Sequence, residues 1–335
     1  MAGDIRGFAS ENRDGLTSLL SGLIAAQSVN PPGSENNPAQ VAASFLSQHS
    51  IPFQKYERAP GRTNLVASLG SGAPVLGVIC HLDTVPPGQG WEGDPFAAAV
   101  RDGKLYGRGS CDNKGQMAAV LMLARFLKDN GLPERGTFQI ILAADEECGS
   151  RLGMEYLLAE RIIKPDVAIV PDTPNHMKNI VISEKGVVFL RLHARGLQAH
   201  GSTPAKGKNA IMRMLRLLQE ASGIDFKAPE HPLHSPPSVN IGKIKGGDAP
   251  NMVPAWCEAD IDIRYVPGMT CGQVLARIDE VINKVHREVG EECFSRKIIS
   301  DLPPHELSRD SLLVRLVSSC CLEALGYEPP PSGLG

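Results

Sequence analysis

Apolar runs of strand length that stop at histidine or acidic residues restrict the fold of this chain more than any other feature. In chain order the endings are His81-Leu82-Asp83, the stretch from Gly107 to Gly115 around Asp112, Asp145-Glu146-Glu147, Pro171-Asp172, and the stretch Ala199 to Pro204 around His200. Each of these five segments carries a metal ligand or a proton-transfer group, and four of them follow an apolar stretch directly or closely. Side chains from successive strand ends can share one centre only if the strands finish on the same side. The pattern therefore implies a metal site built across the carboxyl ends of a parallel sheet.

The patterns between these endings alternate. Leu16 to Gln27 and Pro38 to His49 read as helices, separated by an Asn30-Pro31-Pro32-Gly33 breaker. Asn64 to Leu69 and Val75 to Cys80 read as strands. Lys114 to Asn130 reads as a helix with Met117, Val120, Leu121, Ala124 and Leu127 on one face and Gly131 at its end. Thr137 to Ala144 is almost continuously apolar, as a strand covered on both faces should be. A helix near Leu152 to Arg161 and a strand Val167 to Val170 complete an α/β pattern with a mostly parallel sheet flanked by helices. After Glu184 the period changes. Val187 to Arg195 and Cys257 to Tyr265 alternate apolar and polar, as strands with one wet face do, and helices at Asn209 to Ala221 and Cys271 to Val285 flank them. The expected organisation is a first domain of residues 1–184 and 297–335, including a helix near Ser311 to Leu325, with an α+β domain of residues 185–296 inserted into it.

Composition excludes several classes. A chain of 335 residues with 42% hydrophobic and 21% charged residues is an ordinary globular protein, long enough for two domains. A net charge of −3 gives no electrostatic case for a nucleic-acid or anionic-membrane partner. The run Leu16 to Ala26 is the nearest thing to a secretory signal, but Asp4, Glu11 and Asp14 precede it and its spacing is helical. The expected compartment is the cytoplasm. Eight cysteines without a Cys-x-x-Cys pair argue against a disulfide framework or a zinc ribbon. Cys80, Cys111 and Cys148 border the motifs as small residues at crowded strand ends rather than as ligands, and Cys80 should point away from His81.

The motifs have specific chemical uses. His81 and Asp83 lie two apart and project the same way from a strand end, which suits a histidine ligand oriented by a carboxylate. Gly107 and Gly109 allow an irregular backbone that delivers Asp112 into a crowded site. Asp145, Glu146 and Glu147 end a strongly apolar strand, where adjacent buried carboxylates are costly without a cation. Glu146 and Glu147 can serve one centre only if the strand breaks there, and Gly149 permits the break. One glutamate can then bind metal while the other acts as general base. Taken singly, each motif also has a plain structural explanation: a hydrogen-bonded pair, a turn before a helix, a solvated strand end. Their order and shared position favour the site.

With these motifs in place, the chain resembles the zinc aminoacylase and peptidase group that includes acetylornithine deacetylase, succinyl-diaminopimelate desuccinylase, aminoacylase and carboxypeptidase G. The resemblance runs from about Gly15 to about Tyr327 and rests on HLDTVPPG, WEGDPF, LYGRGSCDNKG, DEECGS, AHGSTPAKGKNAI and GGDAPNMVPAWCEADIDIR. It implies a zinc-peptidase-like sheet domain with an inserted, ferredoxin-like lid and dimerisation domain, and two zinc ions, with cobalt as a possible substitute. His81, Asp112 and Asp172 would hold the first ion; Asp112, as the bridge, and Glu147 would hold the second. Asp83 would orient His81, and Glu146 would take the proton from a zinc-bound water that attacks an amide carbonyl. His200 would stabilise the oxyanion, often from the partner subunit of a homodimer, while Asn251 and Arg264 would contact substrate.

The family's second zinc also takes a histidine from near the carboxyl terminus, beyond a Gly-Gly-Thr-Asp-Ala-like loop. The sequence ends at Pro331-Ser332-Gly333-Leu334-Gly335, about where that loop should begin, and His305 is not assigned as the ligand. The expectation is a second site short of one histidine. A truncated or non-catalytic chain that acts only through dimerisation is the alternative, and a one-metal hydrolase at His81, Asp112 and Asp172 is a third reading. Arg264 favours a carboxylate-bearing substrate and Asp172 leans toward peptides, leaving N-acyl amino acids and short peptides both open.

Overall fold

The computed structural model describes residues 4–132, 135–172 and 177–335. Its contacts divide the chain into two units, Met1–Thr173 and Pro174–Gly335. The first unit opens with α1 (Ile5–Glu11), α2 (Arg13–Ala25) and α3 (Asn36–Gln48), followed by β1 (Phe53–Glu57), β2 (Thr63–Ser71) and β3 (Val75–His81). A small hairpin of β4 (Ala99–Arg101) and β5 (Lys104–Tyr106) leads to α4 (Lys114–Asn130), β6 (Gly136–Ala143), α5 (Met154–Ala159) and β7 (Val167–Ile169).

The main sheet has the order β1-β2-β6-β3-β7. β3 is parallel to both its neighbours, whereas β2 is antiparallel to β1 and β6, so four strands run one way and only β2 opposes them. Strand alternation assigns the faces. Leu65, Ala67 and Leu69 of β2, Val78 and Cys80 of β3, and Phe138, Ile140 and Leu142 of β6 pack against α2, α3 and α4. On the other face Val66, Ile79 and Ile141 meet Leu157 of α5 and Ile163. Cys80 therefore lies in the core beneath the helices, where burial pushes its thiol up to about 12. α4 keeps its expected bounds because Met117, Val120, Leu121 and Ala124 are buried on one face and Gly131, at φ 105°, caps its end. α5 is shorter than its sequence pattern suggests.

The second unit contains β8 (Ile180–Glu184), β9 (Gly186–Arg195), α6 (Ala210–Ser222), β10 (Ser238–Gly246), β11 (Trp256–Tyr265), α7 (Cys271–Val289), β12 (Phe294–Leu302), β13 (His305–Glu306), α8 (Leu312–Leu325) and β14 (Pro331–Leu334). A sheet of order β10-β11-β9-β12, antiparallel throughout, is covered on one face by α6 and α7. The alternation along β11 is complete: Cys257, Ala259, Ile261, Ile263 and Tyr265 are buried, and the residues between them face the other way. There Asp260 takes a two-pronged bond from Arg191 at 2.7 and 2.8 Å. Thr270 and Gln273 form a reciprocal cap at the start of α7, and Gly290 ends it at φ 78°. β13, β8 and β14 make a separate small sheet against which α8 packs. Among the described residues no helix is long and apolar enough to cross a membrane.

Candidate metal centre

The register of the parallel strands brings the first candidate ligands together. His81, the last residue of β3, lies opposite Ala143, the last of β6, so both strands hand the chain over to loops at the same sheet edge. Leu82 N–H donates to Ala143 O at 2.8 Å and extends the pairing past the strand. The Asp112 loop is tied to the same edge, because Asn113 Oδ1 accepts the backbone N–H of His81 at 3.1 Å. Gly109, at φ 89°, supplies the left-handed turn that the loop needs before α4. Lys114 anchors it from below, its buried Nζ donating to Leu23 O and Ala26 O at 2.8 and 2.9 Å, and burial lowers this amine to about 8.

β6 breaks as the two adjacent glutamates require. Ala144 N–H donates to the Asn64 side chain instead of to a strand, Asp145 turns to φ 64°, and Glu146–Cys148 form a single 3-10 turn. Gly149, at φ 99°, closes it. The Asp83 carboxylate holds this turn by accepting the N–H groups of both Glu146 and Glu147, each at 3.1 Å. Asp83 thus touches more than the His81 ring: it fixes the backbone of two other candidate site residues.

His81, Asp112, Glu147 and Asp172 converge. His81 Nε2 lies 2.8 Å from Asp112 Oδ1 and 3.4 Å from Asp172 Oδ2. One ligand atom each from His81, Asp112 and Glu147 fall within 4.8 Å of one another. On the opposite side of the ring, Nδ1 is 3.0 Å from the Asp83 carbonyl and 3.5 Å from its carboxylate. A proton on Nδ1 donated there leaves the Nε2 lone pair facing the carboxylates.

The charges show what the cluster suits. Burial opposes a charged His81, but its bonds to Asp112, Asp172 and Asp83 outweigh that and push it up to about 12. Burial, with Asp112 next, raises Glu147 to about 7, and burial also raises Glu146. The hydrogen bond from His81 holds Asp112 below the usual carboxylate range. An imidazole at the centre of several carboxylates, two of them kept from ionising by burial and then by their neighbours, is a donor set that fits a divalent cation.

His200, Asn251 and Arg264 belong to the second unit. The first two are neighbours: His200 forms a bridge with Met252, and Gly201 N–H donates to Asn251 O at 2.7 Å. The exposed His200 ring has Nδ1 2.8 Å from Ser202 Oγ. Arg264, on β11, binds Asp262 through two nitrogens at 2.8 and 3.0 Å and lies over the Phe189 ring.

A profile of peptidase family M20/M25/M40 matches residues 77–335. The chain belongs to this family. It is 32% identical over 313 residues to acetylornithine deacetylase of Proteus mirabilis (strain HI4320), covering 89% of this chain and 79% of that protein. It is 33% identical over 278 residues to the acetylornithine deacetylase of Erwinia tasmaniensis, covering 80% and 70%. The fold is similar to that of the dipeptidase Dug1p from Saccharomyces cerevisiae (TM-score 0.78, 14% identity, 100% and 87% coverage). It is also similar to the YXEP protein of Bacillus subtilis, described as a dinuclear metal binding peptidase (TM-score 0.69, 15% identity, 98% and 83% coverage). This M20 protein is accordingly a metal-dependent amidohydrolase.

Behind the ligands, this M20 chain carries buried polar residues that its motifs do not announce. Asn30 Nδ2 bridges Asp83 and Asp145 at 2.8 and 3.2 Å, and Arg62 joins Glu35 to Asp145. Asn30 stands in the Asn-Pro-Pro-Gly breaker and Arg62 just before a strand; neither has a local signature, because its partners are distant in sequence.

Proposed function

We propose that this M20 protein hydrolyses the amide bond of an N-acyl amino acid, in the manner of a deacetylase or desuccinylase, with Glu146 as general base. The observation that carries the reading is the broken end of β6, which presents Glu146 and Glu147 from one turn beside His81 and Asp112. The acetylornithine deacetylases at 32% and 33% identity support the acyl-amino-acid class over short peptides. His81, Asp112 and Asp172 would hold one zinc ion, replaceable by cobalt, and Asp112 and Glu147 a second. Bound metal polarises the amide carbonyl and lowers the pKa of the attacking water.

The chain's own groups do the rest. Asp83 keeps the proton on His81 Nδ1 and the turn in place. Glu146, at the exposed turn after β6, takes the proton of the attacking water and returns it to the leaving nitrogen. His200 donates to the developing oxyanion. Asn251 and Arg264 recognise the substrate, with Arg264 exchanging Asp262 for a substrate carboxylate. A homodimer formed through residues 185–296 is part of this reading. Its support is the exposed edge strand β10, with Ile241 and Ile244 uncovered, beside the exposed Met212 and Leu215 of α6. Eight free cysteines fit a reducing compartment such as the cytoplasm.

The test is an assay of the metal-loaded chain against N-acetylornithine, N-succinyl-diaminopimelate, other N-acyl amino acids and dipeptides, with Glu146→Gln in parallel. Cleavage of an N-acyl amino acid is expected, with a loss of about 10²–10⁴-fold in the variant at unchanged metal content. A Glu146→Gln protein as active as its parent removes the base assignment. Cleavage of dipeptides alone moves the substrate to peptides.

A further inference from the structure

Arg62 is the meeting point of two buried carboxylates. Its Nε and Nη2 each lie 2.7 Å from an oxygen of Glu35, and Nη2 is 2.9 Å from Asp145 Oδ1. Glu35 is fully buried, and the Arg62 side chain is only 13% exposed. Gly33 leaves the guanidinium its space: a Cβ there would run into it.

Asp145 in turn uses each of its polar groups. Its N–H donates to Glu35 Oε1 at 3.2 Å, and its carbonyl accepts Ser150 N–H at 2.6 Å. Oδ1 accepts from Arg62 and from Asn30, and Oδ2 accepts Leu152 N–H at 3.2 Å. This aspartate holds φ 64°, a conformation that a residue with a Cβ adopts only when its surroundings impose it. The next two residues are Glu146 and Glu147. Their N–H groups are bound by Asp83, which shares the Asn30 amide with Asp145.

We propose that Arg62 is a positioning residue for the hydrolysis: clamped between Glu35 and Asp145, it holds the left-handed backbone at Asp145 and so the turn that presents Glu146 and Glu147. The inference rests on the assignment of those two glutamates as base and metal ligand. The guanidinium fork is essential to it, because three oxygens on two side chains are met at fixed angles, which a lysine ammonium cannot reproduce.

The experiment compares Arg62→Lys with the parent in kcat and KM, in cobalt affinity by calorimetry, and in amide hydrogen exchange at Glu146 and Glu147. The expected result is a kcat lower by about 10–100-fold with KM nearly unchanged, cobalt affinity weakened on a similar scale, and faster exchange at both amides. A purely structural Arg62 would lower the unfolding temperature and leave these properties of the folded protein at parent level, and that outcome overturns the proposal. Should Arg62→Lys not fold, the double variant Glu35→Gln/Arg62→Met preserves the net charge of the cluster and is expected to show the same losses; parent-level cobalt affinity and exchange in it also overturn the proposal. Failure of the hydrolase reading is separate. If the parent cleaves no amide, or Glu146→Gln matches it, that reading falls, while cobalt affinity and exchange still decide the role of Arg62.

Discussion

Glu147 sits where two demands conflict: as the proposed ligand it must be ionised, yet burial and the neighbouring Asp112 raise it to about 7 from 4.5. A carboxyl whose pKa is higher in the folded chain holds its proton more tightly there. Its contribution to stability is therefore complete below the unfolded value and is lost as pH rises through the folded one. The metal-free protein should lose stability between about pH 4.5 and 7 relative to Glu147→Gln. His81, also raised, adds loss of the same sign at higher pH, so the difference between parent and variant is the informative quantity. A divalent cation displaces these protons, so zinc or cobalt affinity should climb across the same window. Thermal unfolding of both proteins in chelator, followed by cobalt titration at several pH values, checks this. Identical pH slopes for parent and variant would remove Glu147 from the site's charge balance.

At the scale of elements, the decisive feature is the passage from β6 through the 3-10 turn to α5. Gly153, just before α5, packs against the Ala144 carbonyl so closely that a Cβ would overlap it. Gly153→Ala should therefore push apart the strand end and the helix start, at a cost of about 1–3 kcal/mol typical of overpacking. It should weaken metal binding as well, since Glu147 lies between the two. An unchanged unfolding midpoint would show that the junction yields without strain. The interior elements of each unit are legible in the sequence: the apolar run of β6 and the one-sided stripe of α4 in the first, and the alternation of β9 and β11 in the second, each record their burial directly. The edge strands β1, β10 and β12 are not. Ser238–Gly246 is exposed along most of its length, so no apolar period marks it, and pairing with β11 alone makes it a strand.

At the scale of the whole molecule, the exposed edge of β10 bears on assembly. An uncovered edge strand with isoleucines outward is a template for pairing unless something covers it. The proposed homodimer predicts a sedimentation coefficient for two chains at micromolar concentration. Replacing Ile241 and Ile244 by lysine should shift it to that of one chain. A monomeric parent would remove the dimer and any role for His200 across it.

Fold class and the candidate ligands are legible in the linear chain, because burial period and ligand chemistry are local properties carried by neighbouring residues, and the family is legible in the motifs the chain shares with it. His81, Asp112, Asp172 and the paired glutamates each stand at or near the end of an apolar run that can be read without coordinates. Gly149 permits a break after β6, but the form of the turn that presents the two glutamates is decided only in the folded chain. It depends on a left-handed Asp145 and on Asn30, Glu35, Arg62 and Asp83, which meet across as many as 115 residues of chain. A buried charge or amide is stabilised by partners brought to it in space, and their separation along the chain leaves no period or motif to mark them.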